Sequence, residues 1–429
     1  MPPTNNPPIQ SPTLHHEALL LLSIPSPTPY STLKSAYAPA LAAALSSLSR
    51  QVRGTSRSVI LDIAIATRSG LRAPDSQPRS RYFAQVQRLL AAVYRLLGVV
   101  CVAEGVELDG PGGVDARVFF VDCDDSSSSV DGVRCSVGPI VGFEELAAAE
   151  RTWGVVFSVA SEEGDALLRN FVQSQSGRHA CNIQKLPGGG GGGTVQQSSE
   201  KVCVEQPTSA TRPHYSVAVG GTFDHLHAGH KLLLAATVLA IDPPSEQYPA
   251  HNRRTVTIGI TGDELLVNKK YAEFLESWEQ RWQGVWEFLW SIVDFSPPGQ
   301  GRDKIKVERV TNPGPNGKYV TVSVGPGMEF RFVQISDPFG PTITDPEISS
   351  LVVSGETRSG GKAVNDERGK KGWSLLEVFE VDVLEVDDDD DEAEGKKEKA
   401  SSTENFEAKI SSTEIRRRKM NLAKGSSSL

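Results

Sequence analysis

The five cysteines of this 429-residue chain (Cys101, Cys123, Cys135, Cys181 and Cys203) include no CxxC pair. Scattered, odd in number and without metal-ligand spacing, they predict reduced thiols in a reducing compartment and no metal site. No uninterrupted run of about 18 apolar residues occurs, so no membrane span is expected. The Pro-rich opening from Met1 to Thr13 carries no basic residue, unlike a secretory signal or an Arg-rich transit peptide, and the expected location is cytoplasmic. Basic residues are outnumbered, 44 Lys and Arg against 53 Asp and Glu, and the net charge of −9 argues against nucleic acid as a partner. A GxxxxGK[ST] phosphate loop is missing too. The glycines Gly188 to Gly193 are not followed by Lys-Ser or Lys-Thr, so they read as a flexible linker.

The length suggests two or three domains at roughly 150 residues each. Residues 1–14 are expected to be disordered. Residues 15–180 alternate helical and strand-like runs. A helix is expected in the second half of Ser31–Val52, strands at Val59–Ile65, Arg117–Asp122 and Trp153–Val159, and helices at Tyr82–Leu97, Glu144–Glu150 and Gly164–Gln173. This alternation predicts a separate α/β domain on its own core, of unknown role. Asp122-Cys123-Asp124-Asp125 runs into Ser126 to Ser129 and reads as a solvated loop rather than a metal site. A linker is expected over 181–212 and a second α/β domain over 213–422, with inserts at about 296–329 and 387–407 and a disordered tail at 423–429. The acidic run Asp387 to Asp391 and the lysines after it read as a self-repelling, solvated loop.

The second domain is organised around Val217 to Leu239. Val217-Ala218-Val219 is an apolar run stopped by Gly220-Gly221, as in a central strand of a parallel sheet. Leu232, Leu233, Ala236 and Leu239 then fall at helical spacing, so a helix begins near Gly229. A strand, a glycine loop and a helix N-terminus together make an anion site, and His227 and His230 add side-chain donors to it. Further strands are expected at Thr255–Thr261, Phe330–Ile335, Leu351–Val353 and Leu375–Val386, and a long helix at Ala272–Phe295 with Trp278 and Trp282 in its core and Arg281 structural. Asn316-Gly317 marks a hairpin within the first insert. Ser411 and Glu414 have capping-box spacing, so a helix starts at Ser411 to Thr413 with Arg416 one turn on.

These residues carry a resemblance. Thr222 followed by His227-Ala228-Gly229-His230 resembles the HxGH signature of the nucleotidyltransferase superfamily, and Ile410 to Arg416 resembles its ISSTxxR motif. Asp337-Pro338-Phe339-Gly340-Pro341 and Val353-Ser354-Gly355-Glu356-Thr357 resemble the eukaryotic and archaeal type of phosphopantetheine adenylyltransferase, in a form without a fused dephospho-CoA kinase. The resemblance covers about Ser216 to Asn421. It implies a Rossmann-like catalytic domain that transfers AMP from ATP to 4′-phosphopantetheine, giving dephospho-CoA and pyrophosphate, with Mg²⁺ accompanying ATP and no protein metal cage.

The resemblance further implies that His230, Thr222 and Lys270 are catalytic. Gly220, Gly221, Thr222, Phe223, His227, Gly229, His230, Gly355, Glu356, Ser411, Ser412, Thr413 and Arg416 would bind ATP. Lys269, Lys270 and Asp337 would bind the acceptor. Other CoA-biosynthesis enzymes are candidate partners. The alternatives are another HxGH enzyme, of the nicotinamide mononucleotide or glycerol-phosphate type, and a non-catalytic scaffold subunit of a CoA-synthesising complex.

Overall fold

The computed structural model describes residues 16–24, 29–55, 57–67, 78–110, 112–123, 139–175, 182–189, 212–243, 253–297, 305–314, 317–325, 327–384 and 411–426. The expected disordered opening, most of the linker and the acidic insert lie outside them, as does most of the Asp122–Ser129 loop.

The first part of the chain runs β1 (His16–Ser23), α1 (Tyr30–Val52), β2 (Val59–Thr67), α2 (Phe83–Ala103), β3 (Val114–Asp122), β4 (Ile140–Gly142), α3 (Phe143–Ala148), β5 (Val155–Val159), α4 (Glu162–Ser174) and β6 (Asn182–Leu186). The strands form one parallel sheet in the order β4-β3-β2-β1-β5-β6. β1 is the continuous apolar run Ala18 to Leu22, fully buried at its centre, as a strand covered on both faces must be. Periodicity cannot tell such a run from a buried helix. Helix α1 passes through Pro39 and occupies the whole of its expected stretch, not its second half alone.

One expected boundary needs correction here. β6 pairs with β5 inside the range read as linker. It is an edge strand with four exposed residues and one buried, so its sequence lacks a buried face's alternation.

The second part runs β7 (Ser216–Gly221), α5 (Ala228–Leu239), β8 (Arg254–Thr261), α6 (Trp278–Val293), β9 (Ile305–Gly314), β10 (Gly317–Val324), β11 (Met328–Ile335), β12 (Ser350–Ser354), α7 (Arg358–Lys370), β13 (Glu377–Val381) and α8 (Ser412–Ser426). Its sheet order is β13-β12-β7-β8-β11-β10-β9, parallel from β13 to β11. Read from β11, the parallel strands follow the doubly wound order 3-2-1-4-5, so the direction of winding reverses between β7 and β12. The fold is therefore α/β and Rossmann-like, as expected. The insert at 296–329 is a hairpin whose antiparallel strands β9 and β10 extend the sheet. The expected tail at 423–429 begins inside a helix, because α8 continues to Ser426.

Helix α6 starts at Trp278, later than the expected Ala272. Ser277 accepts a hydrogen bond from Gln280 N while Gln280 Oε1 accepts from Ser277 N, a capping box that fixes the start. Trp282 then lies on Phe332 of β11 in the core as expected, Trp278 is only half-buried against that core, and Trp286 packs on Phe330.

The two sheets share one core, while smaller clusters lie apart from it in each half. α2 packs against α1 on one side and α5 on the other, and a single apolar cluster runs from Leu90, Val93 and Leu97 to Leu232, Ala235 and Leu239. By length and composition the Arg79–Ala103 stretch would also suit a membrane, which the lack of an unbroken apolar run concealed. In this structure 56% of its most apolar window is buried, and Leu90, Val93 and Leu97 lie in the shared cluster.

Candidate active site

The site lies at the carboxyl ends of β7, β8, β11 and β12, beside the point where the winding reverses. β7 ends at Gly220-Gly221, paired with Gly259-Ile260 of β8. A Cβ on Gly221 would meet the Phe223 ring at 2.9 Å, because the chain folds the fully buried Phe223 back beneath the glycine. Phe223 and His225 both sit in the left-handed region, at φ 51 and 45, which side-chain-bearing residues rarely adopt. Such backbone persists only where its surroundings over-determine it.

Those surroundings are polar. Asp224 is fully buried, accepts from Glu276 N at 2.9 Å and forms an ion pair with Arg416. Glu276 in turn accepts from His225 N at 2.8 Å. Arg281, also fully buried, donates to Thr222 O at 2.7 Å, Glu276 O at 3.0 Å and Asp263 Oδ1 at 2.6 Å. Its expected structural role is thus concrete: it ties the loop after β7 to the loop after β8.

His227 and His230 stack with ring centroids 3.9 Å apart, and Phe223 packs on His230 at 5.4 Å. The Nδ1 atoms of both histidines are buried without a hydrogen-bond partner. Burial holds His227 well below the ordinary imidazole range, helped by the neighbouring His230, Lys231 and His225. Burial likewise pushes His230 down to about 4, against the pull of Glu276. Both rings are therefore neutral near pH 7. Buried polar atoms in folded proteins nearly always have partners, so two orphaned ring nitrogens at a strand-end loop point to a bound group. His227 is the N-cap of α5 but its side chain makes no capping bond, which leaves the first-turn N–H groups facing the same place.

Helix α8 docks on this loop. Ser412 Oγ donates to Asp224 O at 2.7 Å, and Arg416 donates to Lys270 O at 3.0 Å and Thr413 Oγ1 at 3.1 Å as well as to Asp224. Gly220, Gly221, Thr222, Phe223, His227, Gly229, His230, Ser412, Thr413, Arg416 and the Lys270 backbone are thereby gathered. The Phe223 side chain is sealed beneath the loop, so any ligand contact must come from its backbone. Arg416 is 3% exposed, and a direct grip on a phosphate would require it to leave Asp224. Glu414 pairs with Arg417.

The Lys269 and Lys270 side chains are exposed after β8. Asp337, after β11, accepts from Phe339 N at 2.8 Å and Gly340 N at 2.9 Å, which fixes its own turn. Gly355 and the exposed Glu356 open the turn after β12, where Ser354 and Thr357 cap each other.

Asp224, His225 and Glu276 lie close enough together to suggest a cation. Their ligand atoms are committed otherwise: Asp224 to Arg416, His225 Nε2 to Phe274 O at 2.8 Å, and Glu276 to His225 at 3.0 Å, with Lys419 3.3 Å from His225 Nδ1. A group already holding two basic side chains does not fit a metal. A cavity of about 360 Å³ opens elsewhere, beside Arg253, Lys306, Glu329 and Arg331 on the hairpin side of the sheet. Its charges are largely paired, Arg331 with Glu329 at 2.9 Å and with Asp345 at 3.0 Å, and Arg253 with Glu329.

Asp224 and Glu276 were not among the residues expected at the site. Asp224 falls inside the first signature, four residues after Gly220, so its position was visible and its buried pairing was not.

Residues 2–191 match a family model described as a Domain of unknown function (DUF8446). The chain is 38% identical over 167 residues to an uncharacterized protein of Schizosaccharomyces pombe, covering 39% of each. It is 34% identical over 201 residues to a phosphopantetheine adenylyltransferase of Saccharomyces cerevisiae, covering 47% of this chain and 50% of that protein. To the phosphopantetheine adenylyltransferase of Pyrobaculum aerophilum it is 28% identical over 169 residues, covering 39% of this chain and 80% of the relative. The chain thus spans only 39% and 50% of the lengths of the two fungal relatives. A crystal structure of a protein of unknown function from Archaeoglobus fulgidus overlaps at 22% identity with a TM-score of 0.24, covering 39% of this chain and 89% of its own, an overlap too slight to support any argument.

Proposed function

We propose that this chain is a pantetheine-phosphate adenylyltransferase, moving AMP from ATP to 4′-phosphopantetheine to give dephospho-CoA and pyrophosphate. The observation that carries the reading is the pair of stacked, neutral, unpartnered imidazoles, His227 and His230, at the uncapped start of α5. The relatives named phosphopantetheine adenylyltransferase support the choice of substrates.

In this reading a phosphate oxygen of the acceptor attacks the α-phosphorus of ATP. A new P–O bond forms as the bond to the β-phosphate bridging oxygen breaks, and pyrophosphate leaves with that electron pair. The attacking phosphate is already a competent nucleophile, so the protein supplies alignment and charge stabilisation rather than a nucleophilic side chain. His230 and Thr222 face the α-phosphate. His227, with Ser411, Ser412 and Thr413 at the start of α8, faces the β- and γ-phosphates. The Gly220-Gly221 and Gly229 backbone allows close approach, and Gly355 and Glu356 border the nucleoside. Lys270, with Lys269 and Asp337, receives the acceptor. Arg416 acts through Asp224, holding the loop that carries both histidines. Magnesium arrives with ATP as part of the substrate, coordinated by phosphates and water.

The test is pyrophosphate release by the full chain with ATP and Mg²⁺, offered 4′-phosphopantetheine, nicotinamide mononucleotide, glycerol phosphate or phosphocholine, with products identified by mass. Dephospho-CoA from the first acceptor alone is expected. Turnover of another acceptor in its place, or none from folded protein that binds ATP, would refute the reading.

A further inference from the structure

The loop that leads into β3, from Glu107 to Asp115, belongs to the first sheet, yet its acidic side chains reach both signature helices of the second. Lys231, the residue directly after His230, is 3% exposed. Its Nζ donates to Asp109, to Asp115 at 2.5 Å and to Ala116 O at 3.2 Å. Arg418, two residues after Arg416 on α8, pairs with Glu107. The first sheet also grips the far end of α5: Arg79 donates to Val238 O at 3.1 Å and to Ile241 O, and its backbone N–H donates to Asp242 at 2.5 Å. A guanidinium at a helix C-terminus complements the helix dipole there.

The loop is built to hold a fixed shape. Val114 N donates to Glu107 O at 2.9 Å, Asp109 N to Val114 O at 3.2 Å, and Gly112 N to Arg57 O at 2.8 Å. Asp109 at φ 59 and Gly112 at φ +76 make the bend. A Cβ on Gly113 would lie 2.5 Å from Glu107 O. Asp115 is further fixed by Arg117 at 2.6 Å.

We infer that Glu107, Asp109 and Asp115 are positioning residues of the active site: they set the starts of α5 and α8 relative to each other. The inference rests on the proposed function for its catalytic consequence, because a phosphate held between two helix starts reacts only if both stand at the correct separation. It gives the first sheet a part in the reaction without requiring it to touch substrate. α8 is the bridge, joined to the second sheet by Arg416 and Asp224 and to the first by Arg418 and Glu107.

The test is Glu107→Gln in the full chain. The Glu107–Arg418 pair is about a third exposed on each side, so losing it costs little stability and separates positioning from folding. Expected are a fall in kcat of about tenfold or more with the KM for ATP changed less than about threefold, an unchanged melting temperature, and faster amide exchange over residues 412–418. Exchanging the charges, Glu107→Arg with Arg418→Glu, should restore kcat to within about threefold of the wild type. Wild-type kcat in Glu107→Gln, or a loss that the exchanged pair does not recover, would overturn the inference. If the wild-type chain turns over none of the acceptors, the proposed function fails and amide exchange alone decides: acceleration in Glu107→Gln supports the bracket, and unchanged protection overturns it.

Discussion

Both halves of this molecule are doubly wound α/β sheets, and the contacts that join them treat their charged groups differently from the way the loop after β7 treats its histidines. Where the first half meets the second, charge is set against charge, Lys231 against Asp109 and Asp115 and Arg418 against Glu107, and Arg151, paired with Asp62 at 3.1 Å within the first half, donates across the boundary to Asp294 O at 2.8 Å. At the strand ends of the second half, His227 and His230 keep ring nitrogens with no partner. Paired buried charges hold parts together, whereas an unpaired buried donor or acceptor costs free energy until something binds it. The contrast distinguishes the contacts that join the two halves from the site proposed to react.

The largest effect should come from breaking a pair. Asp224→Ala leaves Arg416 buried without its carboxylate and should lower stability by about 3–5 kcal/mol in urea denaturation, whereas Glu107→Gln, in a partly exposed pair, should cost less than about 1 kcal/mol. Equal costs at the two positions would erase the distinction between buried and rim charges. Next comes the orphaned ring: His230→Ala should cut kcat by about 100-fold with the fold intact by circular dichroism, the scale of losing one preorganised donor. Wild-type turnover would remove His230 from the chemistry.

A smaller effect concerns acid. With His230 held at about 4 when folded, the unfolded chain binds the proton first, so stability is lost as pH falls from about 6.5 towards 4. At pH 5.5 this amounts to about 1 kcal/mol. Asp109 acts in the opposite sense. Burial and the neighbouring Asp115 push it up to about 6 despite Lys231, so its contribution rises as pH falls below that value. The informative quantity is therefore the difference between wild type and His230→Asn, which should be flatter between pH 7 and 5.5; parallel curves would contradict the burial of that ring. The smallest effect is expected for deleting Asp387 to Glu394, whose composition predicts a solvated loop: activity within about twofold of the wild type. Loss of ATP binding would make that stretch functional.

Much of the second half was legible because its signals are local. Val217 to Gly221 reads as a buried strand ended by glycine, the spacing from Leu232 to Leu239 reads as a helix, and two histidines three apart across Ala228-Gly229 fall at the join. Ser277 and Gln280 had capping-box spacing in plain view and mark where α6 starts better than the apolar pattern did. Other features were hidden for physical reasons. β1 is apolar on both faces and β6 on neither, so period-two alternation is lost in each. The contacts between the halves join residues 122 positions apart, Lys231 and Asp109, and 311 apart, Arg418 and Glu107. Nothing in local spacing records such a pairing, and Lys231 reads as an ordinary lysine near a helix start until the loop that neutralises it is in place.

The most direct test of the two-histidine site is ¹⁵N NMR of the full chain with its histidines isotopically labelled, titrated with Mg²⁺ and ATP. If His227 and His230 await phosphates, the ring-nitrogen resonances of these two residues should move together on saturation, and those of His214, held between Ser349 and Glu377, should stay. Saturation by ATP with both signature histidines unmoved would contradict the account.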